Sequence, residues 1–409
     1  MKYDSLRKLY YKNKQMYEQI YKERFSNGIH LGIEINNNQA FFVDDAELYK
    51  IISNIYKING ELIYLTNFLP NVAKTHYKNK CLIDEIVLTN DIEGVLSTRR
   101  ELGEILSDLE KKDKRNRFYG LIKEYFALES NEELNLTDCQ SIRDLYDVLF
   151  LDEVRSEDPG DIPDGAIFRA GPVSVIKATQ QQIHRGLEPE EKIIEYMEKS
   201  LQLLSDETID IFIRTSIFHY LFGYIHPFYE ANGRMSRFIS SYIISKNLVY
   251  LTGYHLSYYI KEHISEYYRA FEECNDIKNK GDITPFIHMF LSVILGSCTQ
   301  LRDELRLLTN ELDEYAAIIP HLYKNGKMRD LMFYLIQASL FSEIGISIEE
   351  LLELTGVTRS TLKKRLDEVE RNKLLIINNR KVKKYYMANL EKLAKYQDAE
   401  AEYELGKNL

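Results

Sequence analysis

The run His226-Pro227-Phe228-Tyr229-Glu230-Ala231-Asn232-Gly233-Arg234, with Arg237 three residues further on, gathers the parts of an anion site into one short stretch. His226 is a base that titrates near neutral pH. Glu230 is a carboxylate suited to a hard cation. Met235, Phe238, Ile239, Tyr242 and Ile243 repeat at helical spacing after the polar turn, so a helix starts near Asn232. The first turn of a helix offers free N–H groups and the positive end of its dipole. Gly233 lets the backbone come close to a phosphate. Arg234 and Arg237, at i and i+3, can address one anion. Taken singly, His226 reads as a packed histidine, Phe228 as core, and Glu230 with Arg234 as a surface i,i+4 pair. Only together do they point to a nucleotide site.

The elements that must position this stretch are helices. Ile209, Ile213, Ile217 and Leu221 recur every four residues, widened by Phe212 and Tyr220. Pro227 stops that helix, which leaves His226 where helix gives way to loop. His219, about two turns earlier, reads as a core histidine. Upstream, Cys81 to Leu88 is apolar enough for a buried helix. Thr89-Asn90-Asp91-Ile92-Glu93-Gly94 follows, with Gly94 a C-cap and Glu93 at the helix end.

His226 through Arg237 resembles the signature of the Fic family, His-Pro-Phe-x-(Asp/Glu)-(Gly/Ala)-Asn-Gly-Arg-x-x-Arg, and matches it at every position. The resemblance implies a nucleotidyltransferase, a protein adenylyltransferase that moves AMP from ATP to a Ser, Thr or Tyr hydroxyl of a target protein or of itself. It implies His226 as the base, Glu230 as the Mg²⁺ ligand, and Asn232 and the Gly233 N–H as a phosphate cradle. Arg234 would then hold the γ-phosphate and Arg237 the phosphate chain further in. A branch of the family with Lys at the position of Gly233 transfers a phosphoryl group, so Gly233 favours nucleotide transfer. Residues 89–94 also resemble the family's inhibitory pattern (Ser/Thr)-x-x-x-Glu-(Gly/Asn). This implies an inhibitory helix over about 80–94 bearing Thr89 and Glu93, with Glu93 expected to pair with Arg234 and deny it to the γ-phosphate. In some relatives the same glutamate helps remove AMP from the target.

Residues 155–164 are loop by composition, and 165–176 read as two short strands around Ala170-Gly171-Pro172. An isolated hairpin is marginal by itself. It is either a seal on the core or the family's flap, with Phe168, Arg169 and Val173 docking a target segment by strand addition.

The expected fold is mainly α: a helical region over 1–110, a Fic-like core with a small β-hairpin flap over 111–320, and a winged helix-turn-helix domain over 325–390. A polar tail covers 391–409. Near the N-terminus, Ile29 to Ile35 and Phe41 to Val43 predict a hairpin around Asn36-Asn37-Asn38, followed by helices over 45–59 and 71–79. In the C-terminal domain Ser347 and Thr358 are helix caps on either side of a Thr355-Gly356-Val357 turn. Leu362, Leu366 and Val369 form the inner face of the second helix, and a hairpin follows around Asn378-Asn379-Arg380. Residues 359–384 hold ten Lys/Arg against three acids, a net of +7 in a chain of net charge -10. Residues 358–384 therefore suit either a DNA backbone or a protein-interaction winged helix whose basic face is merely solvated. The whole chain is too acidic for a general nucleic-acid binder.

Cys81, Cys139, Cys274 and Cys298 are scattered without a C-x-x-C pair, which fits a reducing cytosol and neither zinc nor a disulfide framework. No apolar leader or membrane-length apolar run is evident, so a cytoplasmic location without membrane contact is expected. Relatives often dimerise, which makes a homodimer one expectation. The rival readings are a DNA-binding regulator whose core only senses nucleotide, and an enzyme acting chiefly to remove AMP.

Overall fold

The computed structural model describes residues 3–107, 109, 116–130, 132–176, 182–380 and 383–396. The chain is mainly helical with small antiparallel sheets. It divides into two units, residues 1–60 with 82–299, and residues 61–81 with 300–409.

The first unit opens with α1 (Leu6–Lys12) and α2 (Lys14–Asn27), then a hairpin of β1 (Ile29–Ile35) and β2 (Asn38–Phe42). Asn36 and Asn37 both sit at positive φ, the geometry that a two-residue hairpin turn demands. β2 is pinned by Phe41, whose N–H donates to Gly281 O and whose carbonyl accepts from Ile283. Next come α3 (Ala46–Phe68), α4 (Asn71–Ile92), α5 (Arg99–Ser107), α6 (Tyr119–Phe126) and α7 (Cys139–Glu157). The two helices expected over 71–79 and 81–88 are thus one continuous helix. No Gly or Pro interrupts residues 71–92, so nothing in the backbone ends the first before the second begins.

β3 (Ser174–Ile176) and β4 (Gln182–Arg185) form the small hairpin. Expectation placed both strands within 165–176; β3 lies there, but its partner is β4 downstream and not a strand before Ala170. The reason is local: the carboxylate of Glu190 accepts from the N–H groups of Ala166, Ile167 and Phe168 at 2.8–2.9 Å, so that backbone is committed before it can pair. α8 (Glu190–Ser205), α9 (Ile211–Ile225) and α10 (Asn232–Asn247) follow, with α9 packed against both α8 and α10. α11 (Leu256–Glu262), α12 (Ile264–Asn275) and α13 (Thr284–Leu322) complete the helices of this part of the chain. Among the described residues α13 is the helix long and apolar enough to cross a membrane. Phe286, Ile287, Phe290, Leu291 and Ile294 on it are buried within the fold, as a core helix requires.

In the second unit α14 (Gly326–Phe341) precedes β5 (Ile346–Ser347), α15 (Ile348–Thr355), α16 (Arg359–Arg371), β6 (Leu375–Arg380) and β7 (Lys383–Ala388). The sheet order is β5-β7-β6. Ser347 and Glu350 form a reciprocal capping box on α15, Gly356 ends it at φ +60°, and Thr358 caps α16. The part of the expected tail beyond 396 lies outside the described residues.

Candidate functional site

α9 is apolar on every side and buried along almost its whole length. It ends because Pro227 has no N–H to continue it. His226 takes the left-handed conformation (φ 55°, ψ 63°) while its N–H still donates to Phe222 O at 2.9 Å. Five residues later Ala231 is left-handed too (φ 64°, ψ 12°), and α10 starts. Two non-glycine residues in this region cost on the order of 1–2 kcal/mol each, so the loop between them is held by its surroundings.

The holding contacts are specific. Asn232 accepts from Phe228 N at 2.9 Å and donates to Phe228 O at 2.8 Å, which closes the loop on itself. Its amide was expected to cradle phosphate, but both of its ends serve the loop. Phe228 is fully buried, stacked on Tyr146 with centroids 3.8 Å apart. Tyr229 donates to Asp164 at 2.8 Å and accepts from Gly171 N at the same distance. Arg169 is fully buried and donates to three carbonyls: Nε to His226 O and Nη2 to Leu187 O at 2.8 Å, and Nη1 to Gly171 O at 2.5 Å. Burial pushes its pKa down. Phe168, also buried, meets Phe228 edge to face at 5.5 Å. Phe168 and Arg169 are therefore supports beneath the loop, and a target cannot dock on them. Of the three residues expected at the docking flap, Val173 alone retains partial exposure.

α10 begins with no side-chain cap, so its first N–H groups remain available to an anion. The group that stands there is Glu93. A Cβ placed on Gly233 would run into Glu93 Oε1 and crowd Arg237 Nη1. Glu93 Oε1 accepts from Arg237 Nη2 at 2.7 Å. Arg237 also donates Nε to Thr89 Oγ1 at 2.7 Å and Nη2 to Thr89 O at 3.0 Å, so the last turns of α4 are tied to α10. Burial works against the Arg237 charge, but Glu93 together with Tyr267 and Tyr268 outweighs it and raises the pKa.

The expected Glu93–Arg234 pair is not formed. Arg234 Nη1 donates to Glu153 on α7 at 2.7 Å and to Asn90 on α4 at 3.3 Å, with its guanidinium over the Phe150 ring. Glu153 is fully buried, and burial raises its pKa against the pull of Arg234. An acid inside the apolar stripe of Phe150 and Val154 was a readable sign of a buried partner. So was Glu85, two turns before Glu93, which accepts from the N–H and hydroxyl of Ser257.

Burial, then His184, pushes His226 down to about 4, and its Nδ1 has no hydrogen-bond partner among the described residues. It is a neutral base at pH 7 with a nitrogen to spare. Glu230 is exposed at the surface, yet enough protein surrounds its carboxyl that partial desolvation, and then the negative charge of Asp161, raise its pKa. A divalent cation would offset that repulsion, and one exposed carboxylate with substrate phosphates is a normal Mg²⁺ arrangement. His219 is a core residue, bonded to Ser240 and Tyr267 and pushed down to about 3 by burial.

Residues 136–244 match the family model described as the Fic/DOC family. Among solved structures, a Fic family protein from Desulfovibrio desulfuricans G20 is 19% identical, with 85% of this chain and 97% of that chain covered and a TM-score of 0.49. A Fic domain containing signaling protein from Bacteroides thetaiotaomicron is 17% identical over 62% of this chain and 97% of its own, at a TM-score of 0.41. Fic-1 from C. elegans is 19% identical over 64% and 74%, at 0.42. The chain thus carries a Fic/DOC family domain, and proteins with this domain generally transfer a nucleoside monophosphate to proteins.

Proposed function

We propose that this chain is a Mg²⁺- and ATP-dependent protein adenylyltransferase held inactive by Glu93. The observation that carries the reading is the carboxylate of Glu93 over the uncapped first turn of α10 and on Arg237, where a phosphate would bind. With Glu93 withdrawn, the N–H groups at Gly233 and the Arg237 guanidinium bind the phosphate chain. Neutral His226 takes the proton of a target hydroxyl as its oxygen bonds to the α-phosphorus and pyrophosphate leaves. Glu230 would hold Mg²⁺, which supplies charge neutralisation on the phosphates. While Glu93 is in place, it repels the phosphates and misplaces the α-phosphate, and a 1 Å error costs on the order of a hundredfold in rate. The open edges of β3 and β4 suit a target segment added as a strand.

The test is the intact mass of wild type, Glu93→Gly, and Glu93→Gly with His226→Ala, each after incubation with ATP and Mg²⁺ and with a cell extract as a source of targets. AMP-sized mass or label is expected with Glu93→Gly alone. Equal labelling by wild type and Glu93→Gly would sink the inhibitory role of Glu93. Labelling by the His226→Ala double variant would sink the base.

A further inference from the structure

The nucleotide-transfer reading makes no use of the basic surface of the second unit. α15 and α16 are separated by Gly356, Val357 and Thr358 alone, a helix-turn-helix spacing, and the hairpin β6–β7 follows α16 directly. α16 has three apolar residues, Leu362, Leu366 and Val369, and all are buried. Its outward face therefore has no apolar anchor of the kind that protein interfaces use. Arg359, Lys363 and Lys364 are exposed on its first two turns, whereas on the later ones Asp367, Glu368 and Glu370 outnumber Arg371. Among the described residues the one ion pair of these cations is Arg359 with Glu349 at 3.9 Å, both largely in solvent. At the far end of the hairpin Arg380 stands directly opposite Lys383, with Lys384 the next pair along, all exposed. Like charges facing each other across a ladder destabilise it. A polyanion removes that repulsion.

We propose that the second unit is a winged helix that binds duplex DNA, with the first two turns of α16 in the major groove and the β6–β7 hairpin against the flanking phosphates. Recognition helices read bases with their N-terminal residues. The basic-to-acidic switch along α16 orients it that way, since the acidic turns would be repelled by the backbone.

The full chain is titrated into an end-labelled duplex of about 24 base pairs and followed by anisotropy. Five or six phosphate contacts predict a log–log salt slope near -5, and a loss on the order of a thousandfold between about 50 and 200 mM salt. Lys363→Glu with Lys364→Glu, and separately Lys383→Glu with Lys384→Glu, should each flatten the slope by about 2. Circular dichroism should be unchanged, because all four side chains are exposed. Failure of the wild type to bind at about 50 mM salt, or retention of its slope by both reversed variants, would overturn the proposal. Equally tight binding of a single strand of the same length would overturn the groove-bound arrangement. Label transfer by Glu93→Gly is measured in parallel, so the two readings fail independently.

Discussion

Arg234 and Arg237 leave α10 one turn apart, and each meets a glutamate at 2.7 Å. Their surroundings differ. Glu153 is wholly buried, its second oxygen and Arg234 Nε have no hydrogen-bond partner among the described residues, and Phe150 covers the guanidinium. Glu93 keeps a third of its side chain in solvent and ends a helix rather than lying within one. Arg237 is as buried as Arg234, so breaking either pair strands a guanidinium, but Glu93 can return its carboxylate to water and leaves Arg237 its two bonds to Thr89, whereas Glu153 has no route to solvent. The same two residue types thus make a fixed support on the α7 side of α10 and a removable contact on the α4 side.

Four substitutions test that difference, in order of expected effect. Glu153→Ala strands Arg234 in the interior and should cost about 3–5 kcal/mol in urea unfolding; a loss under 1 kcal/mol would place this pair with the open one. Glu85→Gln concerns a buried acid within α4. Burial pushes Glu85 up to about 7 from 4.5, offset in part by Ser257. The folded state therefore binds the extra proton between those values, and stability falls as pH rises from about 4.5 to 7, by roughly 3 kcal/mol. The Gln variant should lack that component, read as a smaller change in unfolding midpoint between pH 5 and 8. Glu93→Gly leaves the buried Arg237 on Thr89 alone and should cost about 1–2 kcal/mol of stability, yet raise AMP transfer on the order of a hundredfold, equivalent to about 2.7 kcal/mol of barrier. Its rate should stay level from pH 8 down to about 5, because His226 is neutral over that range and loses the Glu93 charge that raised its pKa. An acid limb centred near 6.5 would contradict this. Ala231→Gly relieves one left-handed residue and should stabilise by about 1 kcal/mol with transfer unaltered.

Much of this architecture was legible beforehand. The loop from His226 to Arg237, the helix before it and the Asn36-Asn37 turn follow from local chemistry, and local chemistry is what a sequence displays. The caps at Ser347 and Thr358 were readable for the same reason. The partner of Glu93 was not. Arg234 and Arg237 share a helix face, and the choice between them is made by Glu153, some eighty positions away on α7. The hairpin was misplaced for a similar reason. Gly171-Pro172 has turn composition, yet the N–H groups of 166–168 are taken by Glu190 from a later helix, and Arg169 draws the chain inward. Both errors concern charged groups whose partners are set by tertiary structure.

Arg169 also bears on how this chain tolerates change of length. Its guanidinium joins carbonyls at positions 171, 187 and 226, so the ends of the intervening segment, 172–186, return to one fixed point. Doubling a closed loop adds only about 0.6 kcal/mol of entropy. Insertions between 172 and 186 should thus leave the base at 226 where it is, and that segment can diverge to suit new targets while the chemistry stays unaltered.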